Sequence, residues 1–280
     1  MHTFDTPSPV NLKVELWQGE VKVYAEDRAT TTIELGPLRG DSAAQQVIDQ
    51  ARVEQRGDDV VVLMPKTKSG LFRSRAEVLA TIRVPLRSNA RIETASADVE
   101  TDGELDHLKV SSGSGDVRLD FGANVEVRTG SGDITIGTAA DSCDVKCGSA
   151  DVAVDTIGGD GTILSGSGDV QIDRIGGELK IKTGSGDIVV QEAGAGIDAM
   201  AGSGDLVVKR VDHGRLKAKT GSGDVQVGVA VGTAAYLDIM TVTGDVRSSL
   251  DASDAPPDGD LTVELTIQSG SGDVVLQRAS

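Results

Sequence analysis

The chain has 280 residues and a mass of 28.9 kDa, enough for one large or two smaller domains with a sizeable core. Its formal net charge of −17 opposes both a nucleic-acid backbone and an anionic membrane surface. Aromatic residues make up 2% against 38% hydrophobic overall, so the core must come from Val, Ile, Leu and Ala.

The opening MHTFDTPSPVNLKVELW has no basic stretch leading into an apolar one, and nowhere do about 18 apolar residues run together. The expectation is a cytoplasmic protein with no direct membrane insertion and no nucleic-acid partner. Five segments then alternate apolar and polar residues and predict strands: VNLKVEL (10–16), EVKVYA (20–25), TTTIEL (30–35), DVVVLM (59–64) and EVLATIRVP (77–85). Between them DSAAQQVIDQ (41–50) predicts a short helix capped by Asp41 or Ser42. A repeat array needs a cover over its first open edge, and this region, with Phe4, Trp17 and Phe72, is the candidate.

From residue 91 the sequence becomes periodic. An aspartate follows Ser-Gly, Ser-Ala or Thr-Gly at Asp98, Asp116, Asp133, Asp151, Asp169, Asp187, Asp205, Asp224, Asp245 and Asp273. The successive spacings are 18, 17, 18, 18, 18, 18, 19, 21 and 28, a rhythm that marks a solenoid of stacked coils. One residue past each Asp stand Val99, Val117, Ile134, Val152, Val170, Ile188, Leu206, Val225, Val246 and Val274, and polar residues such as Arg118 and Gln171 follow them. Eight and six residues before the Asp stand pairs such as Leu179 with Ile181, Leu216 with Ala218, Leu237 with Ile239, and Leu265 with Ile267. Each coil therefore holds two strands with one wet face, joined at T/S-G-S-G-D, where glycine accommodates the corner. An apolar residue six past the Asp, as in Ile157, Ile175, Ala193, Val211 and Ala230, marks a short further side, so two-sided and three-sided coils both stay open.

Parallel stacking at about 4.8 Å, each coil on its predecessor, predicts a rod of roughly 48 Å. Parallel crossovers are right-handed in nearly all cases. The predicted fold is an all-β, right-handed parallel β-solenoid with about 18 residues per coil and an irregular N-terminal cap. Residues 1–90 form the cap and irregular coils and residues 91–280 the regular GSGD array, in one continuous domain.

Stacked aspartates about 4.8 Å apart repel by roughly 0.9 kcal/mol per pair even in bulk water. The simplest offset is a structural turn ladder, each carboxylate accepting turn N–H groups and the neighbouring Ser hydroxyl. A threaded cation is the alternative. The calcium roll repeats G-G-x-G-x-D-x-U-x twice per 18 residues, whereas here Asp directly follows Gly and the second half-coil lacks the motif. No metal or cofactor is expected. Cys143 and Cys147 fall in inward slots of one strand, about 13 Å apart, beyond disulfide reach. They read as reduced core residues.

Near the end, SSLDASDAPPDGD adds about ten residues with Pro256 and Pro257, a surface loop over 248–260 available to a partner. His107 and His213 sit six coils apart in this reading and cannot share a metal. The sequence holds no nucleophile elbow, H-E-x-x-H or Walker A motif, and the Gly-rich strings open strands rather than phosphate-binding helices. A polysaccharide-cleaving β-helix needs clefts and stacking rings that one Trp, two Tyr and three Phe hardly provide. Lys180, Lys182, Lys217 and Lys219 read as a solvated face pairing with neighbouring Asp and Glu. The expectation is no catalytic residue and no enzyme.

GEVKVYAED near the start, TIRVPLRSNARIETASADV before the array, the repeated GSGDV and the closing QSGSGDVVLQRA together resemble the DUF4097 family. Its β-strand-repeat proteins are commonly labelled adhesins and relate to the LiaG-type proteins of bacterial envelope-stress operons. The resemblance covers nearly the whole chain and implies a β-solenoid, with no catalytic residues to carry over. The expected function is a non-enzymatic scaffold or protein-binding module in a bacterial cell, associated with envelope stress. Alternatives are a self-associating filament-like protein, an adhesin-like surface protein, a calcium roll and a polysaccharide-active enzyme.

Overall fold

The computed structural model describes residues 1–39, 42–65, 76–250 and 261–279. Asp41, Phe72 and the proline-bearing part of the predicted loop, 251–260, lie outside the described residues. The protein is all-β and mainly parallel, with two compact units, Met1–Thr138 and Ala139–Ser280.

In the first unit the elements run β1 (His2–Asp5), β2 (Asn11–Glu26), β3 (Thr30–Pro37), α1 (Ser42–Ile48), β4 (Arg52–Arg56), β5 (Asp59–Leu63), β6 (Val78–Pro85), β7 (Asn89–Ser114) and β8 (Val117–Ser131). The five predicted strands are all present, the first two fused into β2. Its alternating Leu12, Val14, Leu16, Val21 and Val23 are buried, each stabilising the fold by about 1.5–3 kcal/mol. Strand β2 lies between two parallel partners. On one side Asn11 to Tyr24 pair with Asn89 to Asp102 of β7; on the other Asn11 pairs with Asp59 of β5 and Gly19 with Val78 of β6. At Gly19 the backbone adopts φ +120° and a Cβ would stand 2.0 Å from the Val78 carbonyl oxygen, so only glycine fits.

The outer edge of β5 and β6 is covered by antiparallel strands, β4 on β5 and β3 on β6, with β1 in turn on β3. This is a physical cover of the kind a repeat edge requires. Helix α1 packs against β3 and buries Ala44. Strands β1 and β4, sequences HTFD and RVEQR, are short and mostly polar, and their alternation is too weak to read from sequence. Trp17 donates its indole N–H to the Met64 carbonyl at 3.2 Å. Fully buried Ser88 accepts the Val10 N–H at 3.0 Å and donates to the Pro85 carbonyl at 2.7 Å, so its hydroxyl is satisfied.

The unit boundary falls in β9 (Ile134–Ser149). The second unit continues with β10 (Val152–Ile157), β11 (Asp160–Ser167), β12 (Val170–Ile175), β13 (Leu179–Ser185), β14 (Ile188–Ala193), β15 (Ile197–Ser203), β16 (Leu206–Val211), β17 (Gly214–Ser222), β18 (Val225–Val229), β19 (Ala234–Thr243), β20 (Val246–Ser248), β21 (Thr262–Ser271) and β22 (Val274–Arg278). Alternate strands pair in parallel with partners 18 residues apart, as in Val152 with Val170 and Leu179 with Ile197. Two ladders result. Their inward columns, such as Val170, Ile188, Leu206 and Val225, are at most 2% exposed. The slot six past the Asp is also inside, with Ile157, Ile175, Ala193, Val211 and Ala230 all buried.

The expectation that every coil stacks on its predecessor fails for the last two. Strand β21 pairs with β17, Leu265 opposite Leu216, and β19 then pairs with β21, Leu237 opposite Leu265; β22 likewise stands between β18 and β20. The final strands of the chain are thus the penultimate rung. All coils offer the same apolar slots, so β21 fits either neighbour, and the extra residues after β20 give the chain room to return. A second correction follows from the first: Leu237 and Val246, predicted inside, are 45% and 47% exposed because no coil covers them.

Candidate functional site

The T-G-S-G-D corner explains the aspartates. Gly186, the second glycine of one corner, has φ +134°, and a Cβ there would lie 2.2 Å from the Gly168 carbonyl oxygen of the neighbouring rung. The bare backbone lets successive corners approach closely, and the carboxylate then reaches across. Asp169 donates its backbone N–H to Asp151 Oδ1 at 2.9 Å, and the same bond links Asp187 to Asp169, Asp205 to Asp187, Asp224 to Asp205, Asp273 to Asp224 and Asp245 to Asp273 at 2.8 to 2.9 Å. In the first unit Asp116 donates to Asp98 and Asp133 to Asp116, at 2.9 and 3.1 Å. The donor is the amide of the next rung, where the sequence reading placed it within the turn. Each bond puts an amide dipole between neighbouring carboxylates and offsets their repulsion. Asp245 ends the series, its carboxylate 3.3 Å from the Arg247 guanidinium.

The outer face of the β13, β15 and β17 ladder carries the lysines. Lys180, Asp198 and Lys217 form one column, and Lys182, Met200 and Lys219 the next. Strand geometry spaces lysines on one strand about 7 Å apart and those two strands apart about 10 Å. The expected charge pairing is absent: among the described residues none of these four lysines has a carboxylate within ion-pair distance. Elsewhere Lys13, Lys22, Lys109 and Lys146 pair with Glu15, Glu20, Glu126 and Asp144 at 2.6 to 3.1 Å. Lys22, held by Glu100 and Glu20, keeps its proton well above the usual lysine range. Beside the free lysines runs an open groove of about 430 Å³ lined by Met200, Lys219, Gly221, Met240, Val242 and Gln268.

Burial, reinforced by the Asp144 carboxylate, pushes the Cys143 thiol up to about 12, so it stays protonated and unreactive. Half-buried Cys147 is raised by burial too, and its Sγ lies 3.8 Å from the Leu164 carbonyl. His2, His107 and His213 are exposed. Among the described residues no three His, Cys, Asp or Glu side chains gather as a metal-ion cluster, and no helix is long and apolar enough to cross a membrane. The free lysine face and the uncovered β19–β20 rung were missed in the sequence. One signal pointed to the latter: Ala95 and Val242 are the two non-glycine residues at the first glycine of the corner motif, and Val242 sits on the end rung.

Among solved structures, a candidate adhesin from Bacteroides fragilis is 12% identical, with 98% of this chain and 95% of that chain covered at a TM-score of 0.42. A candidate lipid-binding protein from Parabacteroides distasonis gives the same identity, coverage and score. A candidate adhesin from Parabacteroides merdae is 11% identical, covering 99% and 94%, with a TM-score of 0.36. No curated protein matches the sequence. The sequence profile of one family, described as Toastrack DUF4097, matches residues 7–156 and again 120–280. With both halves of the chain matched, the protein belongs to the Toastrack DUF4097 family.

Proposed function

We propose that the chain is a right-handed β-solenoid, about 18 residues to the coil, working as a non-enzymatic binding module in the cytoplasm of a bacterial cell. The 18-residue register of paired strands supports the coil length, and the handedness follows the general rule for parallel crossovers. Two thiols held apart along one strand suit a reducing compartment. The module holds outward side chains in fixed rows, and the row that carries this reading is the quartet Lys180, Lys182, Lys217 and Lys219. Four lysines without an ion-pair partner among the described residues, with Asp198 alone between two of them, leave a local positive field on a protein of net charge −17. The partner in this reading is a protein with an acidic surface. Electrostatic steering brings it in, and the adjoining Met200 and Met240 groove adds apolar contact.

The test is in-cell crosslinking through lysine, followed by mass spectrometry, for the natural chain and a variant with all four lysines changed to Gln. The expected result is a crosslinked partner lost both in the variant and at high salt. A partner retained by the variant removes the lysine face from the proposal.

A further inference from the structure

The uncovered rung combines three features found together nowhere else among the described residues. First, β19 and β20 pair on one side only, with β21 and β22, so each presents a row of unpaired backbone groups. Second, the inward slots are open. Leu237 and Val246 are 45% and 47% exposed, while Leu265 and Val274 one rung below are fully buried. Third, the rung is almost neutral in a strongly acidic chain, with Asp238 and Asp245 against Arg247, so a second acidic molecule can approach it.

We infer that the free edge of β19 and β20 is a self-association surface on which a second copy of this chain pairs antiparallel about Val246. The charge pattern supports this occupant. Asp245, the corner residue just before β20, and Arg247 flank Val246 and lie on one side, their side chains 3.3 Å apart. In an antiparallel pair with Val246 opposite Val246 of the second copy, each Asp245 stands opposite the other copy's Arg247, at cross-strand spacing of about 5 Å. The two attractive pairs are generated by one two-fold axis, and the surface is complementary to itself. The inward residue Val246 then covers its counterpart at the two-fold axis. Assembly stops at two copies. A contact that uses the same surface on both copies closes on itself. This inference stands independently of the lysine face.

Light scattering and sedimentation of the full chain over a wide concentration range test it. The expected particle has twice the monomer mass of 28.9 kDa. Arg247→Asp makes both cross-strand pairs repulsive and raises the dissociation constant by about tenfold or more. Asp245→Arg combined with Arg247→Asp keeps the two positions complementary and restores the dimer. Val246→Cys places two thiols opposite each other and forms an intermolecular disulfide on mild oxidation. Circular dichroism of each variant confirms that the fold is kept. A monomer at every concentration, as when the chain's own loop covers the rung, overturns the inference. A particle that grows past two copies, or a dimer indifferent to Arg247→Asp, does so equally.

Discussion

At the β5–β6 edge, antiparallel strands take up the outward backbone groups, and Val60, Val62 and Ile82 are completely buried. At the β19–β20 edge the same kind of residue in the same kind of slot is half in water, as Leu237 and Val246 show. The contrast teaches that a repeat slot fixes only the direction of a side chain. Whether that side chain is dry depends on the next rung or cover. Energy in such a stack resides in interfaces between rungs, so a rung with one interface has about half of what an interior rung has.

The sharpest way to break this comparison uses two leucines paired with each other. Leu265→Ala opens a cavity in a closed column and is expected to cost about 2–5 kcal/mol in denaturant unfolding, whereas Leu237→Ala costs about 1 kcal/mol or less. Equal losses would mean that something already covers the last rung. A smaller effect separates two glycines. Gly186→Ala forces a Cβ against the Gly168 carbonyl at φ +134° and is expected to cost roughly 3 kcal/mol. Gly57, at φ +59° in the β4–β5 hairpin with open space around it, should lose about 1 kcal/mol on the same change. Thermal unfolding of the two variants side by side checks the difference.

The least effect near neutral pH belongs to Cys143. Its folded-state value is raised from 9.0 to about 12, so the folded chain retains the proton that the unfolded chain gives up. Its contribution is therefore complete below pH 9.0 and is lost as pH climbs toward about 12. In Cys143→Ala this part of the alkaline decline should vanish, as urea midpoints along a pH series would record. Parallel decline in both proteins would remove the thiol as its cause.

The columns themselves were plain in the sequence, because a period of 18 superimposed on a period of two leaves little freedom for Val170, Ile188 or Leu206. The rung order at the end was not. Leu216 meets Leu265 as readily as it meets Leu237, and degenerate slots carry no address. Only local oddities marked the last rung: Val242 in a glycine position, and exposed Tyr236 where the neighbouring rungs have Arg215 and Glu264. The aspartate spacing was visible too. Its cross-rung bond was not, since sequence distance cannot show which amide lies above a carboxylate. Likewise, the lysines looked pairable because acidic residues are close, and Asp198 does stand between Lys180 and Lys217 in one column, yet among the described residues no lysine of the quartet closes on it.

The out-of-order rung also bears on how the protein is made. During synthesis β19 emerges before β21, while β17 stands ready with the edge that β21 will later occupy. A nascent chain halted at Ser248 has every physical reason to lay β19 on β17, Leu237 over Leu216. Insertion of β21 requires that pairing to open, or never to form. Strand β21 thus acts as a wedge between two strands that precede it in the chain.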